Sequence, residues 1–325
     1  MKAAVTGAAG FIGSHLVELL VARGYEVVAI DNLNTGRLEN LSSVKNQIYF
    51  CNIDVRSPDI VNYLSDVNVV FHLAALADIV PSITKPYEYI DVNVMGTTRL
   101  LEAARAAGVK RFIYAASSSC YGIPETFPTT EETVISPQYP YALSKYLGEQ
   151  VFFHWQKLYG IGGLSLRLFN VYGTRSRTNG SYGAVLGVFL AQKMGNKPLT
   201  IVGDGSQKRD FTFVGDVAEA FVLAGESQAT DMAINIGTSN PVSVNRLANL
   251  IGGSTVHVAK RPGEPDLTHA DINRARKVLN WDPKINLEQG IAKVLETKEA
   301  WAGAPIWSAE EIEIVTADWF KFLQR

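Results

Sequence analysis

The chain has 325 residues, 47% of them hydrophobic and 19% charged, with a formal net charge of −2 at pH 7. This balance excludes a disordered chain, and the lack of a basic arm or Lys/Arg cluster argues against a nucleic-acid partner. With only Cys51 and Cys120, neither a disulfide framework nor a Cys-rich zinc site is available, and no apolar run approaches the roughly 20 residues of a membrane span, so a cytoplasmic protein without membrane contact is expected.

In chain order, the N-terminus runs from an apolar stretch straight into glycines, which reads as a buried strand and not as a signal peptide. Short apolar runs then alternate with amphipathic segments, the pattern of a parallel sheet covered by helices. Strands are predicted at KAAVTG, YEVVAIDN, NQIYFCNIDV, VNVVFHLAA, KRFIYAASS and GGLSLRLFN, and helices over 12–23, 60–64, 88–107 and 141–159. Gly24 and Gly108 follow helical runs and suit the left-handed residue that ends a helix. After Asn170 the alternation weakens: GTRSRTNGSYG reads as a loop, followed by a helix over about 184–195 and a strand at LTIVG. The tail from about 288 reads as helical, with Trp301, Trp307, Trp319 and Phe320 as packing anchors. The fold class is α/β: a Rossmann-type doubly wound parallel sheet over 1–170, and a smaller C-terminal α/β substrate-binding lobe over 171–325, segments of which return to the first domain.

The opening TGAAGFIG places Gly7, Gly10 and Gly13 at three-residue spacing between a strand and a helix. Such glycines allow a tight turn, close approach of a pyrophosphate to the backbone, and close packing of the helix on the sheet. Free N–H groups and the dipole at the helix N-terminus then favour the phosphates. At the end of the next strand stands Asp31, close to the roughly 20-residue distance at which a carboxylate meets the adenosine ribose, and its charge favours NAD over NADP. Farther on, YALSK carries Tyr141 and Lys145 four residues apart on one helix face. An ammonium beside a phenol lowers the phenol's pKa and makes it a usable base. Ser117, ending the preceding strand, is placed to hydrogen-bond the same substrate oxygen. Taken alone, Y-x-x-x-K is a frequent surface pair; here it follows a dinucleotide loop and a strand-terminal serine in order.

With these residues in place, the chain resembles the extended short-chain dehydrogenase/reductases, in particular the nucleotide-sugar epimerases. The likeness spans TGAAGFIG, DNLNTG, NIDV, HLAA, VNVMGT, SSSCYG, YALSK, LRLFNVYG, GDGSQKRDFTFVGDVA and RPGEPDLTHADINRARKVLNWDPK. It implies that Gly7, Gly10, Phe11, Ile12, Gly13, Asp31, Asn32, Asn34 and Gly36 line the adenosine and pyrophosphate end of NAD. By the same resemblance Asp54 and Val55 flank the adenine, Leu73, Ala74 and Ala75 the middle of the cofactor, and Asn93 lies beneath the nicotinamide. Lys145 would hold the nicotinamide ribose, and Asn170, Arg209 and Arg261 would grip the nucleotide diphosphate of the substrate. The resemblance also implies a homodimer joined through the helices near 88–107 and 141–159.

Members of this family epimerise, dehydrate, decarboxylate or reduce, so the reaction must be argued from the site. The family's 4,6-dehydratases carry an Asp-Glu pair just after the catalytic Ser/Thr, where this chain has Ser118 and Ser119. Asp31 disfavours an NADPH-dependent reductase. The reading that remains is a UDP-sugar 4-epimerase acting through a 4-keto intermediate with Ser117, Tyr141 and Lys145; the alternative is an NAD-dependent dehydratase or keto-sugar reductase. In the resembling epimerases a residue of the segment DLTHAD gates bulk at the sugar's C2, and Thr268 stands there, a small gate that points to UDP-N-acetylhexosamine as well as, or instead of, UDP-glucose and UDP-galactose. No metal is expected, since His15, His72, His154, His257 and His269 lack ligand spacing.

Overall fold

The computed structural model describes residues 1–176, 185–301 and 303–323. Apolar runs form the strands β1 (Lys2–Thr6), β2 (Glu26–Asp31), β3 (Ile48–Asn52), β4 (Val69–His72), β5 (Arg111–Ser117) and β6 (Gly162–Leu168), which are buried on both sides except β3, the edge strand, where Tyr49 is exposed. A seventh sheet strand, Met232–Ile236, pairs with β6, giving the all-parallel order Met232–Ile236, β6, β5, β4, β1, β2, β3. The order reverses between β1 and β4, where neighbouring connections leave on opposite faces and open a crevice at the strands' carboxyl ends.

Helix α1 (Phe11–Ala22) buries Leu16, Val17 and Leu20 on one face of the sheet, together with Phe221 of the helix Val214–Glu226. Trp281 joins the same core from far along the chain and donates its indole N–H to the Asp216 carbonyl at 2.9 Å. The opposite face is covered by two long segments. The predicted helix over 88–107 is divided into α3 (Pro86–Ile90), a π-helical turn over Asp91–Met95, and α4 (Gly96–Ala106). The π turn leaves one residue outside the 3.6 repeat, and Asn93 within it is buried. Helix α5 (Pro140–Tyr159) begins on proline, whose missing N–H costs nothing in a first turn, and ends at Gly160 with φ +72°. Of the residues predicted helical at 60–64, those at 60–63 lie in a 3₁₀ turn over Pro58–Tyr63, a segment too short to carry α-helical periodicity, and Leu64 follows it.

The smaller lobe has its own core, in which Phe189 and Leu190 of α6 (Val185–Met194) meet Leu199, Ile201, Leu247 and Trp301. The strands Leu199–Val202 and Thr255–Val258 pair in parallel beside it. Of the predicted loop over 173–183, residues 177–183 lie outside the described residues, as does residue 184 of the predicted helix. Before α3 comes α2 (Ile79–Thr84), which follows β4 and faces the crevice. No helix among the described residues is long and apolar enough to cross a membrane.

Candidate active site

The crevice at the switch point is a cavity of about 1000 Å³ that continues into the smaller lobe. Its first wall is the glycine loop. Gly7 holds φ +69°, and a Cβ there would lie 2.8 Å from the Ala74 nitrogen; a Cβ on Gly13 would lie 2.0 Å from the Gly7 carbonyl oxygen. The loop therefore admits no side chain at either position. Gly10 stands at the N-cap of α1 with no side chain satisfying the first turn, so the helix offers its N–H groups to the cavity.

Asp31 is 7% exposed, and burial raises its pKa against two backbone donors. Ala9 N–H donates to its Oδ2 at 2.9 Å and Leu33 N–H to its Oδ1 at 2.8 Å. These fix the carboxylate at the cavity edge, beside Asn32 and Asn34. Asn32 donates to Asp54 at 2.8 Å, and Asp54 is paired with Arg56 at 2.8 Å, which holds its pKa down at about 2. Across the cavity Arg175 donates to Glu18 of α1 at 2.6 Å, while its Nη1 is buried without a hydrogen-bond partner. A glycine cradle, an open helix N-terminus, an orphaned guanidinium nitrogen and a fixed carboxylate together fit a dinucleotide, with the anion at the helix and a ribose at Asp31.

Beneath this wall runs a dry hydrogen-bonded chain. Thr6 accepts from the N–H groups of Leu73 and Ala74 at 3.2 Å each, so its hydroxyl proton is free to go to His72 Nδ1 at 2.7 Å. His72 Nε2 lies 2.8 Å from Thr97, whose own proton goes to the Asn93 carbonyl. The ring is thus the neutral Nε2–H tautomer, and burial pushes its pKa down to about 3. Asn93 in turn clamps Leu76 through both its N–H and carbonyl and donates to Ser144 of α5 at 2.9 Å.

Ser117 ends β5 and lies near the Tyr141 phenol, where it acts to lower that group's pKa against burial. Ser117 Oγ is also 2.8 Å from Ser119 Oγ. Lys145, one turn beyond Tyr141, is buried with its ammonium 4.5 Å from the centre of the Tyr114 ring, and burial lowers its pKa to about 7. The phenol of Tyr141 is pushed up, by burial first and by the nearby Asp78 carboxylate. On sequence grounds two positive charges act on the phenol, the Lys145 ammonium and the nicotinamide ring of NAD; without NAD, burial dominates and holds the phenol above its usual range.

On the far side, Asn170, Arg209 and Arg261 line the cavity, with Glu264 3.8 Å from Arg261. Thr268 donates to Asn170 at 2.8 Å and, with Ser118, borders a separate space of about 20 Å³. Of the residues chosen from sequence, Gly7, Gly10, Phe11, Ile12, Gly13, Asp31, Asn32, Asn34, Asp54, Val55, Leu73, Ala74, Ala75, Asn170, Arg209 and Arg261 line the large cavity. Gly36 packs against the Asp31 carboxylate behind it. Asn93, Ser117, Ser119, Tyr141 and Lys145 stand outside its wall; Asn93 binds Leu76, and Tyr141 meets the Tyr89 ring, whose hydroxyl donates to the Asp78 carbonyl. Sequence reasoning missed Arg175 and the tail residues Trp307 and Trp319; the tryptophans, read as packing anchors, line the cavity. Nothing in their local sequence marks them, because long-range topology brings them there.

Comparison with known proteins agrees with this geometry. Residues 3–237 match the family model described as "NAD dependent epimerase/dehydratase family". A UDP-glucose 4-epimerase of Mycolicibacterium smegmatis is 38% identical over 311 residues, covering 91% of this chain and 98% of that protein. Among solved structures, a UDP-glucose 4-epimerase of Thermotoga maritima with UDP-glucose has a TM-score of 0.87 at 32% identity, covering 92% of this chain and 99% of that one. A dTDP-glucose 4,6-dehydratase of Streptomyces venezuelae with NAD bound has a TM-score of 0.86 at 26% identity, covering 92% and 97%.

Proposed function

The chain belongs to the NAD dependent epimerase/dehydratase family, and from that premise we propose that it is a UDP-sugar 4-epimerase, working on UDP-N-acetylglucosamine and UDP-N-acetylgalactosamine, on UDP-glucose and UDP-galactose, or on both pairs. The observation that carries the reading is at Ser118 and Ser119. Where a dehydratase needs an acid pair to move the C5 proton and expel the C6 hydroxyl, this chain presents two hydroxyls, one of them engaged with Ser117. Such a site supports oxidation at C4 and its reversal without a means of elimination.

In this mechanism Arg209 and Arg261 hold the diphosphate, the planar forks of the two guanidiniums matching its oxygens. Ser117 holds the C4 hydroxyl against Tyr141, and Tyr141 takes that proton as phenolate and gives it back from the same oxygen. Bound NAD supplies the two-electron oxidation of C4 and its reversal, and its positive ring supplies the charge that Tyr141 lacks. Lys145, with a pKa near neutrality, carries part of the ammonium charge one turn below the phenol. Between the two half-reactions the 4-keto sugar turns about its diphosphate linkage while the arginines retain the nucleotide. Thr268, small and tied to Asn170, borders a separate space of about 20 Å³, so its part in admitting bulk at the sugar's C2 rests on the resemblance.

The test is proton NMR of the purified protein with UDP-glucose and UDP-GlcNAc in separate tubes, without added cofactor. Appearance of the galacto epimer in either tube is the expected result, and the faster tube identifies the C2 substituent. Tyr141→Phe should retain NAD while turnover falls about 10²–10⁴-fold. Release of a 4-keto product in place of an epimer would overturn the reading in favour of a dehydratase.

A further inference from the structure

Tyr114 lies on β5, on the same strand as Ser117, and is wholly buried. Its hydroxyl donates to the Lys145 carbonyl at 3.1 Å, and the Lys145 ammonium stands over its ring, 4.5 Å from the centre. The ring is fixed by its neighbours: the His72 ring packs on it at 5.8 Å between centres and the Phe152 ring at 6.2 Å. Gly148 lets α5 come this close, because a Cβ there would lie 2.3 Å from the Tyr114 hydroxyl oxygen. Tyr114 thus meets one residue of α5 twice, by its hydroxyl at the backbone and by its ring at the charge.

The carboxylate one turn farther along α5 is committed elsewhere. Glu149 accepts from Arg167 through both oxygens, at 2.7 and 3.0 Å, and from Ser165 at 2.7 Å. Among the described residues, the other titratable groups facing the ammonium are Tyr141, one turn back on the same helix, and His72 of β4, which is neutral. Burial presses Lys145 toward losing its proton, to a pKa of about 7, with the Glu149 charge acting against that loss. A cation in such a place is stabilised by the electron-rich face of an aromatic ring, an effect that grows as water is excluded.

We infer that Tyr114 is a positioning residue for Lys145, its ring face holding the ammonium beneath Tyr141 while Glu149 is engaged with Arg167. The inference rests on the UDP-sugar reading above, in which Lys145 supports the Tyr141 phenolate. Three replacements separate the face from the packing. Tyr114→Phe keeps the face and loses the hydroxyl, Tyr114→Leu loses both, and pentafluorophenylalanine in place of Tyr114 keeps a ring of nearly the same size while reversing the sign of its face.

The experiment is carbon NMR titration of the Lys145 ε-carbon in the full-length protein labelled at lysine, the signal assigned by its loss in Lys145→Met, with NAD content matched between proteins. Tyr114→Leu and the fluorinated protein should titrate about one pH unit below the parent, and Tyr114→Phe within about 0.3 unit of it. In the epimerisation assay the alkaline limb of kcat/KM, where the ammonium loses its proton, should move to lower pH by the same amount in the first two. A packing defect alone would lower the plateau and leave the limb in place. If Tyr114→Leu does not fold, the fluorinated ring decides the matter, since it fills the space that leucine leaves. A Lys145 midpoint in the fluorinated protein equal to or above that of Tyr114→Phe would overturn the inference and leave Tyr114 as packing. Absence of an epimer from the unmodified protein would instead sink the UDP-sugar reading, while the NMR midpoints would still decide what holds Lys145.

Discussion

His72 is the residue whose chemistry is most constrained by its neighbours. A proton on Nδ1 would displace the Thr6 hydroxyl, which has no other acceptor in this chain of bonds. The folded protein therefore keeps the ring neutral down to about pH 3, whereas in the unfolded chain it protonates near pH 6.5. Between those limits the unfolded state binds more protons, so stability falls as pH falls, by up to about 1.4 kcal/mol per pH unit from this group. His72→Gln, which keeps a donor and an acceptor, should remove that part of the slope, measured as the difference between the two proteins in denaturant midpoints from pH 8 to pH 4; parallel curves would refute the neutral ring. At this scale much of the site is legible from sequence. Local chemistry marks glycines, an acid after a strand and a Tyr/Lys turn, while Arg175 and Trp319 act through partners more than 50 residues away and leave no local sign.

Among the elements, the strand, loop and helix formed by β1, the glycine turn and α1 show why sequence spacing is informative here. Alanine favours a helix interior over glycine by about 1 kcal/mol, so Gly13→Ala would stabilise α1 if propensity decided. The added methyl would sit 2.0 Å from the Gly7 carbonyl oxygen, a backbone atom held by the Gly10 N–H at 3.1 Å. Backbone must therefore move. The expected outcome is a loss of about 3 kcal/mol in thermal or denaturant unfolding together with loss of bound NAD; a variant as stable as the parent and still loaded would refute the packing argument. The same reasoning explains where element prediction stops. Strands buried on both faces and helices of several turns announce themselves by pattern, whereas the π turn over Asp91–Met95 and the 3₁₀ turn at Pro58–Tyr63 depend on tertiary partners such as Leu76 and Ser144 for Asn93.

In the whole molecule, α5 joins the candidate chemistry to an apolar surface exposed among the described residues. Its inner side carries Lys145, Gly148 and Glu149 against the sheet, with Glu149 forming a buried pair with Arg167 at 2.7 Å. Its outer side exposes Leu143, Leu147 and Leu158, at 41%, 36% and 59%. At 100° per residue these three fall within one stripe about 60° wide. A stripe of this kind on the helix that carries Tyr141 suits a second copy of the chain, and we propose a homodimer formed there. Sedimentation velocity should give twice the mass of one chain, and Leu143→Glu with Leu147→Glu should give one chain's mass, since two carboxylates per protomer would be buried unpaired. Because the contact backs α5, dissociation should also lower turnover more than it weakens UDP binding, through looser placement of Tyr141 and Lys145. A protein that sediments as a single chain without substitution, yet turns over fully, would show that α5 is held by its inner contacts alone.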